Sequence, residues 1–119
     1  MKITAIETHI HELPLKSEYH MISALGKHHL SRFVLIRINT NAGIEGLGEA
    51  SIDVRWSGET AIGTCEVIEN VLFPAIQDCE IEDIDEIQRR MDFCCAHNWF
   101  SKSAIEMACW DVLGKDAGK

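Results

Sequence analysis

The segment Asp53–Gly58 carries two neighbouring side chains that are suited to bind a small anionic ligand. Arg55 presents a guanidinium that can hold a carboxylate through two parallel hydrogen bonds, and Trp56 offers a flat apolar surface that can form the wall of a pocket. The residue types also allow a structural interpretation, in which Arg55 is solvated and Trp56 packs beneath its own loop. Substrate contact by Asp53, Arg55 and Trp56 is therefore a hypothesis.

A second polar segment, Tyr19–His29, supplies further candidate ligand-contacting side chains. It contains Gly26 and has no convincing period, so it is predicted to be a loop. Its candidates are a tyrosine, a methionine and three histidines: Tyr19, His20, Met21, His28 and His29. A histidine in a loop is usually just solvated, so a structural interpretation stays open for each of them.

Three patterns that resemble metal sites favour a structural interpretation instead. His9 and His11 lie two residues apart on a predicted strand and share one face, but no third or fourth ligand is evident nearby. Cys94 and Cys95 are adjacent, which is a poor geometry for chelating one ion, and we expect them to be packed thiols. The acidic stretch 78–86 lacks the glycine and the ligand spacing of a calcium loop. We predict no metal ligand in this sequence.

Two further features predict close packing between elements. Gly46 and Gly48 lie within a predicted strand, without the following helix and third glycine of a nucleotide-binding loop. They indicate a bulge or a close approach of another backbone. Asp111, beside Trp110, is predicted to form a hydrogen bond from its helix to a loop or to another domain rather than to act as a catalytic acid.

Strands are predicted over the first part of the chain. Residues 2–13 begin with β-branched and apolar residues and end before Pro14, which cannot donate to a sheet. Residues 32–39 are rich in β-forming side chains, and Gly43 allows a tight connection to a partner strand over residues 44–49. The pattern predicts a three-stranded antiparallel meander.

Helices are predicted over the second part. The first is capped by Ser57 or Thr60, with Glu59 at its positive end, and runs to residue 72 before Pro74 ends it or starts a short turn. The second begins at an Asp83–Glu86 capping box and runs towards residue 97.

The third helix has more apolar surface than a small domain can cover. A capping box of Ser103 and Glu106 predicts its start, and Gly114 predicts its end. Eight of the ten residues 104–113 are apolar, so the helix should be buried on more than one side. We expect a partner, either another domain or another chain, to cover side chains such as Ile105, Trp110 and Leu113.

Composition narrows the class of protein. The chain has 119 residues, enough for one modest domain and too few for a two-domain enzyme. A net charge of −8 without a basic stripe argues against nucleic-acid binding. No apolar run approaches the roughly 20 residues that span a membrane, and the start does not resemble a signal peptide. Five irregularly spaced cysteines favour buried thiols in a reducing cytoplasm over disulfides.

Three segments together resemble one family. The opening residues 1–6, with Leu13-Pro14-Leu15, are similar to the start of mandelate racemase and muconate lactonizing enzymes. Residues 43–50, Gly-Ile-Glu-Gly-Leu-Gly-Glu-Ala, resemble their Gly-x-x-Gly-x-Gly-Glu strand. Residues 104–115 resemble their Ala-Ile-Asp-x-Ala-x-Trp-Asp-x-x-Gly-Lys helix, with Glu106 in place of the usual Asp. The match extends over essentially the whole chain.

The resemblance implies an α+β capping domain of the enolase superfamily over residues 1–115, a meander followed by about three helices. Residues 116–119 would begin a linker to a TIM-type barrel that this sequence does not contain. In the family the barrel carries Mg²⁺ and the groups that remove a proton next to a substrate carboxylate. No catalytic or metal-binding residue can therefore be carried over, and the chain alone is not expected to turn over substrate.

The resemblance also implies where specificity lies. Two loops of the family's capping domain close over the barrel and its small carboxylate substrate, and by position they correspond here to Tyr19–His29 and Asp53–Gly58. The expected partners are the chain's own barrel, that substrate and further copies in a homo-oligomer. The alternative is a free-standing α+β interaction module that buries its last helix in a partner protein.

Overall fold

A computed structural model of the chain describes residues 1–14, 21–23, 26–28 and 30–119. Three strands, β1 (Ile3–Pro14), β4 (Leu30–Thr40) and β5 (Glu45–Ile52), form an antiparallel sheet in the order β1-β4-β5. The β4–β5 turn closes through Gly43, whose φ of 77° is the left-handed conformation that the sequence predicts there. The predicted meander is confirmed.

The segment between β1 and β4 contains a small hairpin where a loop was predicted. Strands β2 (Met21–Ser23) and β3 (Gly26–His28) pair antiparallel, with Met21 opposite His28. The loop prediction is therefore wrong for these six residues, because a three-residue strand is too short to show an apolar and polar alternation. Tyr19, His20 and His29 lie outside the described residues.

The first helical region is longer than its sequence predicts. After α1 (Val54–Ser57), α2 (Ala61–Val67) continues through a π-helical turn (Ile68–Leu72) into α3 (Phe73–Ile76). Thr60 caps α2 by accepting a hydrogen bond from the Gly63 N–H at 2.9 Å, as predicted. Pro74 does not end the helix. The π-helical turn before it uses backbone hydrogen bonds that reach five residues back, and the Phe73 N–H donates to the carbonyl of Ile68.

Helix α4 (Ile84–Cys94) begins as predicted, with Asp83 accepting a hydrogen bond from the Glu86 N–H at 3.3 Å. The Glu86 carboxylate binds two arginines instead of returning to the cap. Hydrogen bonds from Arg89 and then Arg90 lower its pKa to about 2.

Helix α5 (Trp99–Asp116) begins four residues before the predicted capping box and continues past Gly114. Ser103 therefore lies inside the helix and does not cap it. The start of α5 is fixed by contacts from elsewhere in the fold. The left-handed residue that follows its end is Gly118, with a φ of 80°.

The helices cover one face of the sheet and enclose a single core. Ile36 and Ile38 from β4 are buried with Leu72 and with Ile105 of α5. Full burial of Ile105 contradicts the expectation that it needs an external partner, because the strands and helices of this same domain enclose it in the core. Trp110 remains 56% exposed and Leu113 is partly buried.

The state of the cysteines tests the prediction that they are buried thiols. All five cysteines are free, and Cys79 and Cys109 are buried, the latter with its pKa raised to about 12 by burial. Cys94 is exposed at the end of α4, so the prediction of packed thiols at Cys94 and Cys95 is wrong for Cys94.

In the described ranges, none of the helices has the length and apolar character needed to cross a membrane.

Candidate functional site

Both candidate segments leave the sheet at the same end. The register pairs Pro14, the last residue of β1, with Leu30, the first of β4. Two residues along β4, Arg32 pairs with Ile52, the last residue of β5, and α1 follows directly. Antiparallel pairing therefore brings the β2–β3 hairpin and the segment Asp53–Gly58 to one edge of the domain.

The segment Asp53–Gly58 is a closed helical turn rather than the predicted loop. The Asp53 side chain caps α1 by accepting a hydrogen bond from the Arg55 N–H at 3.1 Å, and the Ser57 hydroxyl donates to the Asp53 carbonyl at 3.2 Å. Gly58 ends the turn with a φ of 75°, and its N–H donates to the Val54 carbonyl at 2.8 Å. The role of Asp53 here is to hold the backbone of its own segment.

Helix α1 presents its side chains outward. None of its four residues is buried, and Trp56 is 70% exposed. The interpretation in which Trp56 packs beneath its own loop is therefore wrong. Arg55 is exposed beside it. A large aromatic side chain held outward by a capped turn can contact a ligand or a facing domain.

Glu59, the residue after this segment, contacts the start of α5, which sequence analysis missed. Its side chain is buried, and its carboxylate accepts hydrogen bonds from the N–H groups of Phe100 and Ser101, at 3.2 and 3.1 Å, and from the Ser101 hydroxyl at 2.9 Å. The prediction that Glu59 serves the positive end of α2 is wrong, because it lies at the positive end of α5. Asn98, the residue at the N-cap of α5, makes no capping bond of its own.

The junction of β5 and α5 confirms one prediction about packing and corrects another. A Cβ on Gly46 would lie 2.2 Å from the carbonyl oxygen of Ala108, and one on Gly48 would lie 2.0 Å from that of Ala104. Helix and strand therefore approach more closely than any side chain would allow. Asp111 accepts a hydrogen bond from the Leu47 N–H at 2.9 Å, so its partner is a strand of the same domain and not the predicted loop or other domain.

The residues described do not fit a Mg²⁺ ion. Magnesium needs several oxygen ligands that converge on one point. Over residues 1–14 and 30–119 no three His, Cys, Asp or Glu side chains are grouped to hold a metal. His9 and His11 are exposed on β1, where Nε2 of His9 lies 3.8 Å from a carboxylate oxygen of Glu7.

The sequence model described as "Mandelate racemase / muconate lactonizing enzyme, N-terminal domain" matches residues 5–119. The chain belongs to this family. The family's N-terminal domain is the meander and helices described above, so the fold class that the sequence predicts is confirmed. Enzymes of the family include racemases, epimerases and cycloisomerases.

Relatives share the fold closely. The chain is 30% identical to an N-succinyl-L-Arg/Lys racemase of Bacillus cereus over 97% of its length, and the crystal structure of that protein superposes with a TM-score of 0.91. It is 32% identical over 98% of its length to a hydrophobic dipeptide epimerase of Enterococcus faecalis, whose structure with Mg and the dipeptide L-Leu-L-Tyr gives a TM-score of 0.90. It is 31% identical to muconate cycloisomerase 1 of Pseudomonas putida over 92% of its length.

The mandelate racemase and muconate lactonizing N-terminal domain is only one part of those enzymes. The present chain spans 31% of the Bacillus racemase, 32% of the Enterococcus epimerase and 29% of the Pseudomonas cycloisomerase. The activities of these relatives are therefore properties of proteins about three times as long.

Proposed function

We propose that this chain is the substrate-specificity capping domain of a Mg²⁺-dependent enzyme of the enolase superfamily. One observation carries the proposal: the β2–β3 hairpin and the exposed turn around Trp56 leave the sheet at the same end. Two segments at one edge can close over a shared cavity. A separate barrel would supply the other wall of that cavity.

The reaction proposed for the whole enzyme is removal of a proton next to a substrate carboxylate, leading to racemisation or epimerisation, cycloisomerisation, or dehydration. Mg²⁺ on the barrel would stabilise the negative charge that develops on the carboxylate. Within this chain, Arg55 would bind a carboxylate group and Trp56 would form the apolar wall that excludes water. Tyr19, His20, Met21, His28 and His29 would contact the substrate from the other segment.

Exposed apolar side chains on α5 support an interface between this domain and a barrel. Trp110 and Met107 on α5 are 56% and 47% exposed, although Ala104 and Ala108 of the same helix pack against β5. In a domain whose family joins it to a barrel, exposed apolar side chains favour an interface between the two domains. The same surface is the observation that favours the second candidate, an independent interaction module.

A domain exchange tests the proposal. Residues 1–119 would replace the matching segment of the Enterococcus dipeptide epimerase, and kcat/KM would be measured over a panel of dipeptides and other small carboxylates. We expect Mg²⁺ affinity to stay within about threefold of the parent epimerase, because its ligands lie on the barrel, while the order of preferred substrates changes. The parent epimerase is the reference for both measurements.

Three outcomes would contradict the proposal. An unchanged order of substrates, in an exchanged enzyme of normal size and Mg²⁺ affinity, would mean that this domain does not determine specificity. Loss of Mg²⁺ affinity would mean that the domain contributes to the metal site. Failure of the domain to associate with any barrel would favour the independent interaction module.

A further inference from the structure

The Glu59 side chain is buried, and the residue lies directly after the candidate substrate-contacting turn. The chain enters it from Gly58, the left-handed residue that ends α1, and the Glu59 N–H donates to the Ser57 hydroxyl at 3.2 Å. The backbone on one side of Glu59 is thus part of the turn. Its other neighbour, Thr60, caps α2.

The Glu59 carboxylate reaches a different part of the fold. Its two oxygens accept three hydrogen bonds from Phe100 and Ser101, residues 41 and 42 positions further along the chain. The first N–H groups of a helix have no partners within it and carry the positive end of its dipole. A buried carboxylate at this point satisfies those groups and is itself stabilised by them.

We infer that Glu59 is a positioning residue that fixes the segment Asp53–Gly58 against the N-terminal end of α5, and so sets where Arg55 and Trp56 lie over the substrate. The consequence for specificity rests on the proposed function. The anchoring itself rests only on the buried contacts. Since α1 has no buried residue, its position depends on its two ends, and Glu59 holds one of them.

The first test measures order in the 119-residue chain by ¹⁵N NMR relaxation. In the wild type we expect the amides of residues 54–58 to have order parameters of about 0.85, and in Glu59→Ala below about 0.6. Glu59→Gln keeps the size of the side chain and Ser101→Ala removes one of the three bonds, so both should give intermediate values in a folded protein. Thr60→Ala is the matched control: it removes the cap of α2 at the adjacent residue and should leave residues 54–58 ordered.

The second test measures kcat/KM for two carboxylate substrates in the enzyme with the exchanged domain. We expect Glu59→Gln to change the ratio of the two values about tenfold, while Thr60→Ala changes it less than about twofold. Trp56→Ala is measured in parallel, because it tests the proposed function without touching the anchor.

These measurements separate the possible failures. Unchanged order parameters at residues 54–58 in Glu59→Ala and Glu59→Gln would overturn the anchoring. This result would hold whether or not the turn contacts substrate. A loosened turn with an unchanged ratio, when Trp56→Ala does change it, would overturn the role of Glu59 in specificity. If Trp56→Ala itself leaves the ratio unchanged, the proposed function fails, and the loss of order still supports Glu59 as the anchor.

Discussion

Asp111 on α5 accepts a hydrogen bond from the backbone N–H of Leu47 on β5, with 2.9 Å between the nitrogen and Oδ2. The same oxygen pairs with Lys115 at 2.9 Å, and Lys115 donates to the carbonyl of Glu45 at 2.8 Å. Strand β5 lies at the edge of the sheet. One turn of α5 therefore binds one N–H and one carbonyl of that edge strand, and these groups would otherwise be open to pairing with another strand.

The Asp111 contact predicts a pH dependence of stability. Hydrogen bonds from Lys115 and then from the Leu47 N–H hold the pKa of the Asp111 carboxyl below its usual 3.8. A depressed pKa in the folded state means that the stabilisation is complete above pH 3.8 and is lost as the pH falls through the folded pKa. Asp111→Asn should lower the free energy of unfolding by about 0.5–1 kcal/mol at neutral pH, because the pair is partly exposed to solvent.

Urea unfolding from about pH 2 to pH 7 tests this prediction. The difference between wild type and Asp111→Asn should shrink below pH 3.8. Asp116→Asn, an exposed carboxylate on the same helix, is the control and should change the unfolding free energy little. A difference that stays constant over the whole pH range would contradict the role assigned to the Asp111 charge.

The close approach of β5 and α5 predicts a large effect of one methyl group. Gly46→Ala or Gly48→Ala would place a Cβ within 2.2 or 2.0 Å of a helix carbonyl oxygen, so the helix must move away. We expect the free energy of unfolding to fall by about 3 kcal/mol or more. Gly114→Ala is the matched control: no atom lies within 4 Å of its added Cβ. Because Gly114 is inside α5, that change should stabilise the protein by about 0.5–1 kcal/mol. Thermal and urea unfolding of the three variants would decide, and similar stabilities for all would exclude steric contact as the reason for the glycines.

The exposed side of α5 predicts association of the isolated chain. Trp110 and Met107 are about half exposed, and Leu47 on β5 is 55% exposed. We expect concentration-dependent association in sedimentation velocity, together with binding of a hydrophobic dye. Trp110→Ser should reduce both. Ile62→Ser, which changes a residue of α2 that is 78% exposed, is the control and should reduce them less. A monomeric wild-type chain that binds no dye would be incompatible with this prediction.

Variants of the exposed turn should separate charge from shape in substrate recognition. In the enzyme with the exchanged domain, Arg55→Ala should lower kcat/KM by about 10- to 100-fold, the effect of losing a hydrogen bond to a charged group. Trp56→Ala should instead change the preference among substrates that differ in side-chain size, because it removes a pocket wall. Steady-state kinetics over a carboxylate panel, with Mg²⁺ affinity measured alongside, gives both results. Unchanged kinetics in both variants would assign the turn to structure alone.

Local sequence determined much of the fold. The β-branched runs, the turn at Gly43 and the caps at Thr60 and Asp83 were predictable, because each depends on residues within a few positions of one another. Gly46 and Gly48 were also informative, since a glycine in a strand indicates close approach even when the approaching element is unknown.

Tertiary structure alone decided the features that depend on distant residues. Glu59 lies beside the start of α2 in sequence. Its carboxylate nevertheless accepts a hydrogen bond at the start of α5, from Ser101, which is 42 residues further along the chain. Only the folded chain brings those groups together, so local capping rules assigned Glu59 to the wrong helix and placed the start of α5 at Ser103. Burial of Ile105 was likewise decided by the core that the strands and helices form together. A pattern along the chain specifies which residues prefer burial, whereas the arrangement of the elements determines which surface covers them.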